Sequence, residues 1–369
     1  MKIVLIVPGG VYFGGEERVI LVLISLIKRL ATKHEVRVIV LGDNPPRHFD
    51  LFGAEVIDIG IGDWMLPNAS FPYRLAKAFR LLAGQSYDVI HALWVNHPGL
   101  VGGLCGKALG IPVVLSLGGG ELVWIPEIQY GGAGTWKRRL ISRQAILLAT
   151  TVTVGSRRAM TQVDKDSLFL PLGPESEFFE GSLDREEGSF RVLQVANINK
   201  VKDPHTFLSV IEKVLARRSD VIFDWVDVDT LNGTIHSLAQ KFGDRVKFWG
   251  VQSHTQLREI YCHAHVYIQT SLYESQCVAI AEVVAAGLPI VSTRVGIVDE
   301  LMPNGILTCS VGDATELAES VLRLLDKPNL RMSLAREAQE WALKYNVDWT
   351  ASEFELVYRE AMEIGHDGS

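Results

Sequence analysis

Along the chain, short β-branched runs alternate with longer amphipathic stretches. Residues 2–8 (KIVLIVP), 35–42 (EVRVIVLG), 88–94 (DVIHALW), 112–118 (PVVLSLG) and 150–156 (TTVTVGS) are apolar over most of their length. Runs of this kind fit strands covered on both faces, as in a parallel sheet. Between them, residues 14–33 (GGEERVILVLISLIKRLATK) predict a helix after a glycine turn, and residues 100–109 predict another. From Leu170 to Ser189 the pattern breaks into LPLGPESEFFEGSLDREEGS, rich in Pro, Gly, Ser and Glu, which predicts a linker. Alternation restarts at 190–196, 221–228, 246–250, 265–270 and 289–293, and helical periodicity occupies 314–328, 330–345 and 349–363. The expectation is therefore α/β, with two doubly wound domains facing across a cleft: an amino-terminal domain over 1–170, a linker over 171–189 and a carboxyl-terminal domain over 190–345. A final helix over 349–365 is expected to pack back on the first domain. In such sheets ligands lie outside the carboxyl ends of the strands, and clefts between domains favour small molecules.

Composition narrows this picture. The chain has 369 residues, 48% hydrophobic and 21% charged, enough apolar material for two cores. A net charge of −7 argues against nucleic acid as a partner, since that needs a basic face to displace counterions. Cys105, Cys262, Cys277 and Cys309 form no CxxC pair, so neither a zinc knuckle nor a redox pair is signalled, and free thiols in a reducing compartment are expected. The opening MKIVLIVPGG is too short an apolar run for a secretory signal, and residues 19–27 are too few to span a bilayer. A cytoplasmic protein is expected.

The stretch SLYESQCVAIAEVVAAGLPIVST (271–293) sets Glu274 and Glu282 in an otherwise apolar segment. One reading is a capped helix with an exposed glutamate. The other places Glu274 in the turn after a strand, Ser275 as N-cap, and a helix over 276–286 whose free N–H groups and dipole attract an anion such as a diphosphate. Glu274 then faces sugar hydroxyls, and Glu282, roughly 12 Å along the axis, reaches a ribose diol. The strand before and the Gly287-Leu288-Pro289 turn with its own strand after favour the second reading.

Here the sequence resembles a family. YESQCVAIAEVVAAGLPIVSTRVGIVDEL is similar to the donor-site signature of the retaining family-4 glycosyltransferases of GT-B fold: Glu, seven residues, Glu, a Gly-x-Pro turn, then Gly-x-x-x-Glu, supplied by Gly296 and Glu300. The 14–38 stretch resembles the family's first glycine loop and helix, DVIHALW its Asp-Val-x-His-x-x-Trp strand, and NINKVKD (197–203) the loop that brings a lysine to the donor phosphates. The resemblance implies two Rossmann-like domains, a nucleotide-sugar donor and a hydroxyl acceptor, either a glycan or a lipid-linked intermediate of bacterial surface polysaccharide. It implies front-face retention with no bound metal and no cofactor. Lys202 and Glu274 would act at the reacting centre, with Lys202 on the diphosphate. Donor contacts would also come from Gly14, Gly15, Asn197, Gln276, Cys277, Val278 and Glu282, with Trp249, Gly250 and Val251 near the base. An ammonium fixed beside helix N–H groups suits the charge that grows on a leaving phosphate.

Several positions depart from that pattern. Gly118-Gly119-Gly120-Glu121 stands where many members carry His-Gly-Ser-Asp, Asn197 where an Arg commonly helps the lysine, Cys277 where a Gly follows the first Glu, and DVDTLNG (227–233) where a Gly-x-Gly loop is usual. Glu121 is the candidate to replace the polar role of the missing histidine. These departures keep alive a non-catalytic nucleotide-sugar binder or scaffold, and a GT-B epimerase or phosphorylase, as alternatives. His91, at a strand end, and His263 and His265, without a carboxylate close by, read as structural. From Ile128 to Val163 there are six Lys/Arg and no acid. Trp136, Lys137, Arg138, Arg139 and Arg143 in this run suggest a peripheral contact with the inner face of an anionic membrane, against the plainer reading of a solvated helix face.

Overall fold

The computed structural model describes residues 1–13, 20–42, 45–60, 70–180 and 189–367. The chain divides into two compact units, Met1–Leu172 with Val347–Ser369, and Gly173–Asn346. Of the segment expected to be a linker, residues 173–180 belong to the second unit, because Phe178 is buried there against Tyr261.

The first unit runs β1 (Lys2–Val7), α1 (Leu21–Ala31), β2 (Glu35–Val40), β3 (Arg47–Leu51), β4 (Ala54–Asp58), α2 (Ser70–Leu82), β5 (Val89–Leu93), α3 (His97–Leu109), β6 (Val113–Leu117), α4 (Trp136–Leu148), β7 (Thr151–Val154), α5 (Arg157–Met160) and β8 (Ser167–Phe169). Its sheet has eight strands in the order β3-β4-β2-β1-β5-β6-β7-β8. Among the described residues, only the β3–β4 strand pair of this sheet is antiparallel. Ile3 to Val7 and every residue of β5 and β6 are buried, which is why these segments read as unbroken apolar runs.

The second unit runs β9 (Phe190–Val195), α6 (Pro204–Leu215), β10 (Val221–Val226), α7 (Thr234–Ala239), β11 (Val246–Gly250), α8 (His254–His263), β12 (Val266–Gln269), α9 (Val278–Ala285), β13 (Ile290–Thr293), α10 (Val298–Leu301), β14 (Leu307–Cys309), α11 (Ala314–Asp326) and α12 (Pro328–Lys344). Its six strands, all parallel, lie in the order β11-β10-β9-β12-β13-β14. Alternate residues of β9 feed opposite faces: Val192 packs with Phe207, Phe223 and Trp225, and Leu193 with Tyr261, Ile280 and Val284.

A last helix, α13 (Val347–Asp367), returns to the first unit. Ala351, Phe354, Val357, Tyr358 and Ala361 recur at helical spacing and bury against α1 and the sheet. Burial of Phe354 alone contributes about 2 kcal/mol of transfer free energy. Arg29 pairs with Asp348 at 2.5 Å and Lys33 with Glu355 at 2.9 Å along the rim. At the centre, His91 is fully buried, with Nδ1 2.7 Å from the Tyr358 hydroxyl and Nε2 2.7 Å from Ser116 Oγ, which in turn lies 2.6 Å from Thr153 Oγ1. This chain of polar groups crosses β5, β6 and β7 and ties the last helix to them.

Candidate functional site

In the second unit, β9 lies between β10, its successor in the chain, and β12, so the strand order reverses between β9 and β12. Loops leaving the carboxyl ends of those two strands meet at this switch point, the usual ligand position in a doubly wound sheet. After β9 the chain makes a 3-10 turn over Lys200–Lys202, capped by the Asn199 side chain, which accepts the Lys202 N–H at 3.2 Å. From the end of β12, Thr270 Oγ1 donates to the Lys202 carbonyl at 2.7 Å and the Leu272 N–H donates to the Val201 carbonyl at 2.8 Å. These bonds fix the turn by its backbone and leave the lysine side chain to project.

Lys202 Nζ meets Glu274 Oε1 at 2.5 Å, and the Ser271 hydroxyl donates to the same oxygen at 2.7 Å. Lys202 and Glu274, distant in sequence, thus share one mouth, with side chains 19% and 12% exposed. Each is sheltered enough to strengthen the pair, and open enough for a ligand to reach it.

The helix beside them differs from the sequence expectation. It is α9, starting at Val278 instead of Gln276, and Ser275 is not its cap. Cys277 holds the N-cap position at φ 72, ψ 81, without a side-chain cap. This left-handed conformation suits glycine, which explains why a glycine is usual there. Here the thiol is buried and donates to Gln269 Oε1 at 2.6 Å. The uncapped first turn of α9 carries no acidic residue, so its N–H groups remain suited to an anion.

Gly296, after β13, supports this loop from behind. It sits at φ +62, and a Cβ there would lie 2.4 Å from the Gln276 carbonyl oxygen and 3.0 Å from Glu274 Cβ. The Ile297 N–H donates to the Gln276 carbonyl at 2.9 Å. Replacing Gly296 with alanine should therefore displace Glu274 and Gln276, destabilise the fold by about 1–3 kcal/mol, and weaken nucleotide affinity in calorimetry. A Gly296→Ala protein with wild-type melting and wild-type affinity would detach this loop from the ligand.

Two further carboxylates border the pair. Asp227, after β10, adopts φ 117 where a glycine is usual. Its Oδ1 accepts the Val228 N–H at 2.7 Å, and the Asn197 amide, oriented to satisfy its hydrogen bonds, donates to both carboxylate oxygens at 3.1 Å. Burial raises the Asp227 pKa, while the Val228 N–H and the Lys202 charge pull it back. Glu282, on α9, is 6% exposed and accepts from the Tyr261 hydroxyl at 3.0 Å. Burial pushes its pKa up to about 7. It faces α8 and does not stand two turns along one helix from Glu274, because Glu274 precedes that helix. Asp227 and Tyr261 were absent from the sequence-derived set. The replaced glycine loop at 227 was a signal for the first, and nothing in the sequence marked the second.

Gln276 is buried in this loop, and Val278, which opens α9, is half-buried. Gly250 stands beside the site, its carbonyl accepting the Asp227 N–H at 2.9 Å, and Val251 is 68% exposed. Trp249 points elsewhere. Its Nε1 donates to Asp224 Oδ1 at 2.8 Å and its ring lies under the Arg191 guanidinium, along a wall formed with α8. The indole is thus engaged away from Gly250 and Val251.

Glu121 lies in the first unit and turns inward. Its oxygens accept the Gly118 and Gly119 N–H groups at 3.1 and 2.7 Å. Burial raises its pKa, and these bonds with one from Val95 lower it. In this structure it ties its own loop together instead of presenting a free carboxylate to a sugar. The neighbouring Gly118 is required by packing, since a Cβ would come within 2.4 Å of the Trp94 ring; the indole fills the room a histidine side chain would need. Gly14 and Gly15 lie outside the described residues. His265 is buried with Nδ1 accepting the Arg191 N–H at 3.2 Å, and His263 is exposed, so the two diverge. Trp136 opens α4, 64% exposed, with Lys137, Arg138, Arg139 and Arg143 all on its open side. Among the described residues, no helix is long and apolar enough to cross a membrane.

Comparison with known proteins bears on both units. Residues 175–341 match the family described as glycosyl transferases group 1, and residues 14–167 match the glycosyl transferase 4-like domain. A phosphatidylinositol N-acetylglucosaminyltransferase chain of Arabidopsis thaliana is 28% identical over 33% of this chain, and the matched stretch spans only 27% of that relative. The MMP alpha-(1->4)-mannosyltransferase of Mycolicibacterium hassiacum is 25% identical over 78% of this chain and 74% of its own length. The crystal structure of Anabaena HepE in complex with UDP and glucose superposes with a TM-score of 0.76 at 17% identity, covering 97% of this chain and 99% of that one. With both units matched and the two parallel-sheet domains of the GT-B architecture in place, the chain belongs to the group 1 glycosyltransferases.

Proposed function

We infer that the protein transfers a sugar from a nucleotide-sugar donor to a hydroxyl acceptor, with the donor held at the β9–β12 switch point. The observation that carries this is the Lys202–Glu274 pair at the mouth of an uncapped helix start. An ammonium and helix N–H groups can take a diphosphate, and a carboxylate can accept from sugar hydroxyls. The Anabaena structure with UDP and glucose supports a nucleotide-sugar of this kind. Glu282 is the candidate for the ribose. The reaction proceeds with retention and without a metal: the ammonium and the N–H groups stabilise the leaving diphosphate, which draws the acceptor proton as the new bond forms on the same face.

Incubation with a panel of UDP-, GDP- and ADP-sugars should release nucleoside diphosphate from at least one donor, unaffected by chelator, and proton NMR should show the product anomer matching the donor. Release abolished by chelator, or an inverted product, removes the metal-free retaining mechanism. Asn197 and Asp227 favour one rival: a carboxylate and an amide stand near the phosphate seat where a second cation is usual, as in a binder that no longer turns over. Nucleotide binding with no release from any donor selects that rival. The exposed Trp136 and the cations on α4 support peripheral attachment to an anionic membrane and hence a lipid-linked acceptor; failure to float with anionic vesicles would discard this.

A further inference from the structure

The first unit holds a cavity of about 310 Å³ that the donor reading does not use. It opens between α4, the loop that follows β6, and the segment before β8. Its volume is that of a small-molecule pocket. Arg139 and Arg143, one helical turn apart, stand at its mouth. Among the described residues the Arg139 guanidinium donates to the Ala133 carbonyl alone, at 3.4 Å, and the Arg143 guanidinium makes no ion pair or hydrogen bond. Two guanidinium groups on one side of a pocket, neither ion-paired to a carboxylate, offer positive charge that an anion between them would offset.

The other walls complete the chemistry. Ser142 is 4% exposed and lines the cavity, and its hydroxyl makes no hydrogen bond among the described residues. Leu122, Ile146 and Leu147 form an apolar side, with Leu147 left 62% exposed at the surface. Two acids also border the space. Glu121 spends its oxygens on Gly118 and Gly119, and Asp164 is exposed to solvent. Among the described residues neither forms an ion pair with Arg139 or Arg143.

We propose that this cavity binds an amphiphile with an anionic phosphate ester: Arg139 and Arg143 fork the phosphate, Ser142 donates to it, and Leu122, Ile146 and Leu147 cover the apolar part. The paired guanidinium groups favour planar, multidentate recognition of phosphate. The apolar wall adds a preference for an ester over the free ion. The same chemistry is offered by a lipid headgroup and by a soluble phosphate ester. The inference does not depend on donor binding in the other unit.

Octyl phosphate, kept below its micelle concentration, is the probe for calorimetry on the full chain. It should bind at one site, at least about ten-fold more tightly than inorganic phosphate or octanol, and the paired change Arg139→Gln/Arg143→Gln should weaken it at least about ten-fold. Both arginines are exposed, so the variant should fold, and its unchanged affinity for nucleotide would show this and separate the result from the donor reading. Equal affinity in the arginine variant overturns the proposal. So does a loss of binding in Trp136→Ser with none in the arginine variant, which would mean adhesion to the helix surface. Vesicles of phosphatidylcholine carrying phosphatidic acid distinguish the source. Release of bound protein from them by octyl phosphate assigns a lipid headgroup, and tight octyl phosphate binding without vesicle association assigns a soluble ester; both uphold the pocket.

Discussion

Replacing Lys202 with alanine is expected to lower kcat/KM for the donor about a hundred-fold, or about 3 kcal/mol of transition-state stabilisation, as for loss of one preorganised electrostatic donor. Two effects add. The ammonium that would meet the leaving diphosphate is gone, and Glu274, left 12% exposed without its 2.5 Å partner, becomes an unbalanced anion facing that phosphate. The double variant Lys202→Ala/Glu274→Gln separates these contributions. It should recover part of the nucleotide affinity but not the turnover, since removing the repulsion does not restore the stabilising charge. The backbone of the lysine turn is anchored independently, by Thr270 and Leu272 on the carbonyls of Lys202 and Val201. The alanine variant should therefore melt within a few degrees of the parent, and any loss of rate can be assigned to the side chain. Turnover equal to that of the parent would take Lys202 away from the phosphate.

How much of this was legible in the sequence depends on what each segment buries. β1, β5, β6 and β9 could be read because a parallel strand covered on both faces must be apolar almost throughout. β3 (RHFDL) is mostly exposed and lies at an edge, antiparallel, so its composition carries no such run. β8 and β14 are three residues each and leave too short a trace to distinguish from loop. The meeting of Lys202 with Glu274 could be anticipated, because both follow strands in a doubly wound order that brings their carboxyl ends together. The start of α9 could not. Ser275 has the chemistry of a cap, but the chain turns left-handed at Cys277, and only the packing of Gly296 on the Gln276 carbonyl shows why. The direction of Trp249 was equally hidden. Trp225 pairs with Phe248 and Val226 with Gly250, so Trp249 is an extra residue in the ladder, and the bulge aims its indole at Asp224.

The buried His91 gives the first unit an acid sensitivity that can be stated with its sign. Burial holds its folded pKa at about 3, against 6.5 for an ordinary histidine. Below 6.5 the unfolded chain takes up a proton that the folded one refuses, so this group's contribution to stability is complete above pH 6.5 and shrinks as pH falls toward 3. The deficit reaches about 2 kcal/mol at pH 5 and about 5 kcal/mol at pH 3, at 1.36 kcal/mol per unit. Glu282 acts in the opposite sense in the second unit: with a folded pKa of about 7, its contribution is complete below the ordinary carboxylate value of 4.5 and is lost as pH rises through 7. Mild acid should therefore loosen the first unit while relieving the second. The place of loosening is also specified, because His91 bonds to Tyr358 and packs against the ring of Phe354 at 4.7 Å. Opening of α13 lets the imidazole take up a proton that the closed state refuses, so the protection factors of the Phe354 and Tyr358 amides, taken relative to intrinsic exchange at each pH, should fall between pH 7.5 and pH 5 more than those of Ile280 and Val284. The variant His91→Asn should begin less stable, since it leaves space beneath Phe354. Its urea unfolding free energy should then fall by about 2 kcal/mol less than the parent's between those two pH values. Parallel declines in parent and variant would mean that acid acts through other groups, and that α13 is held chiefly by its apolar stripe.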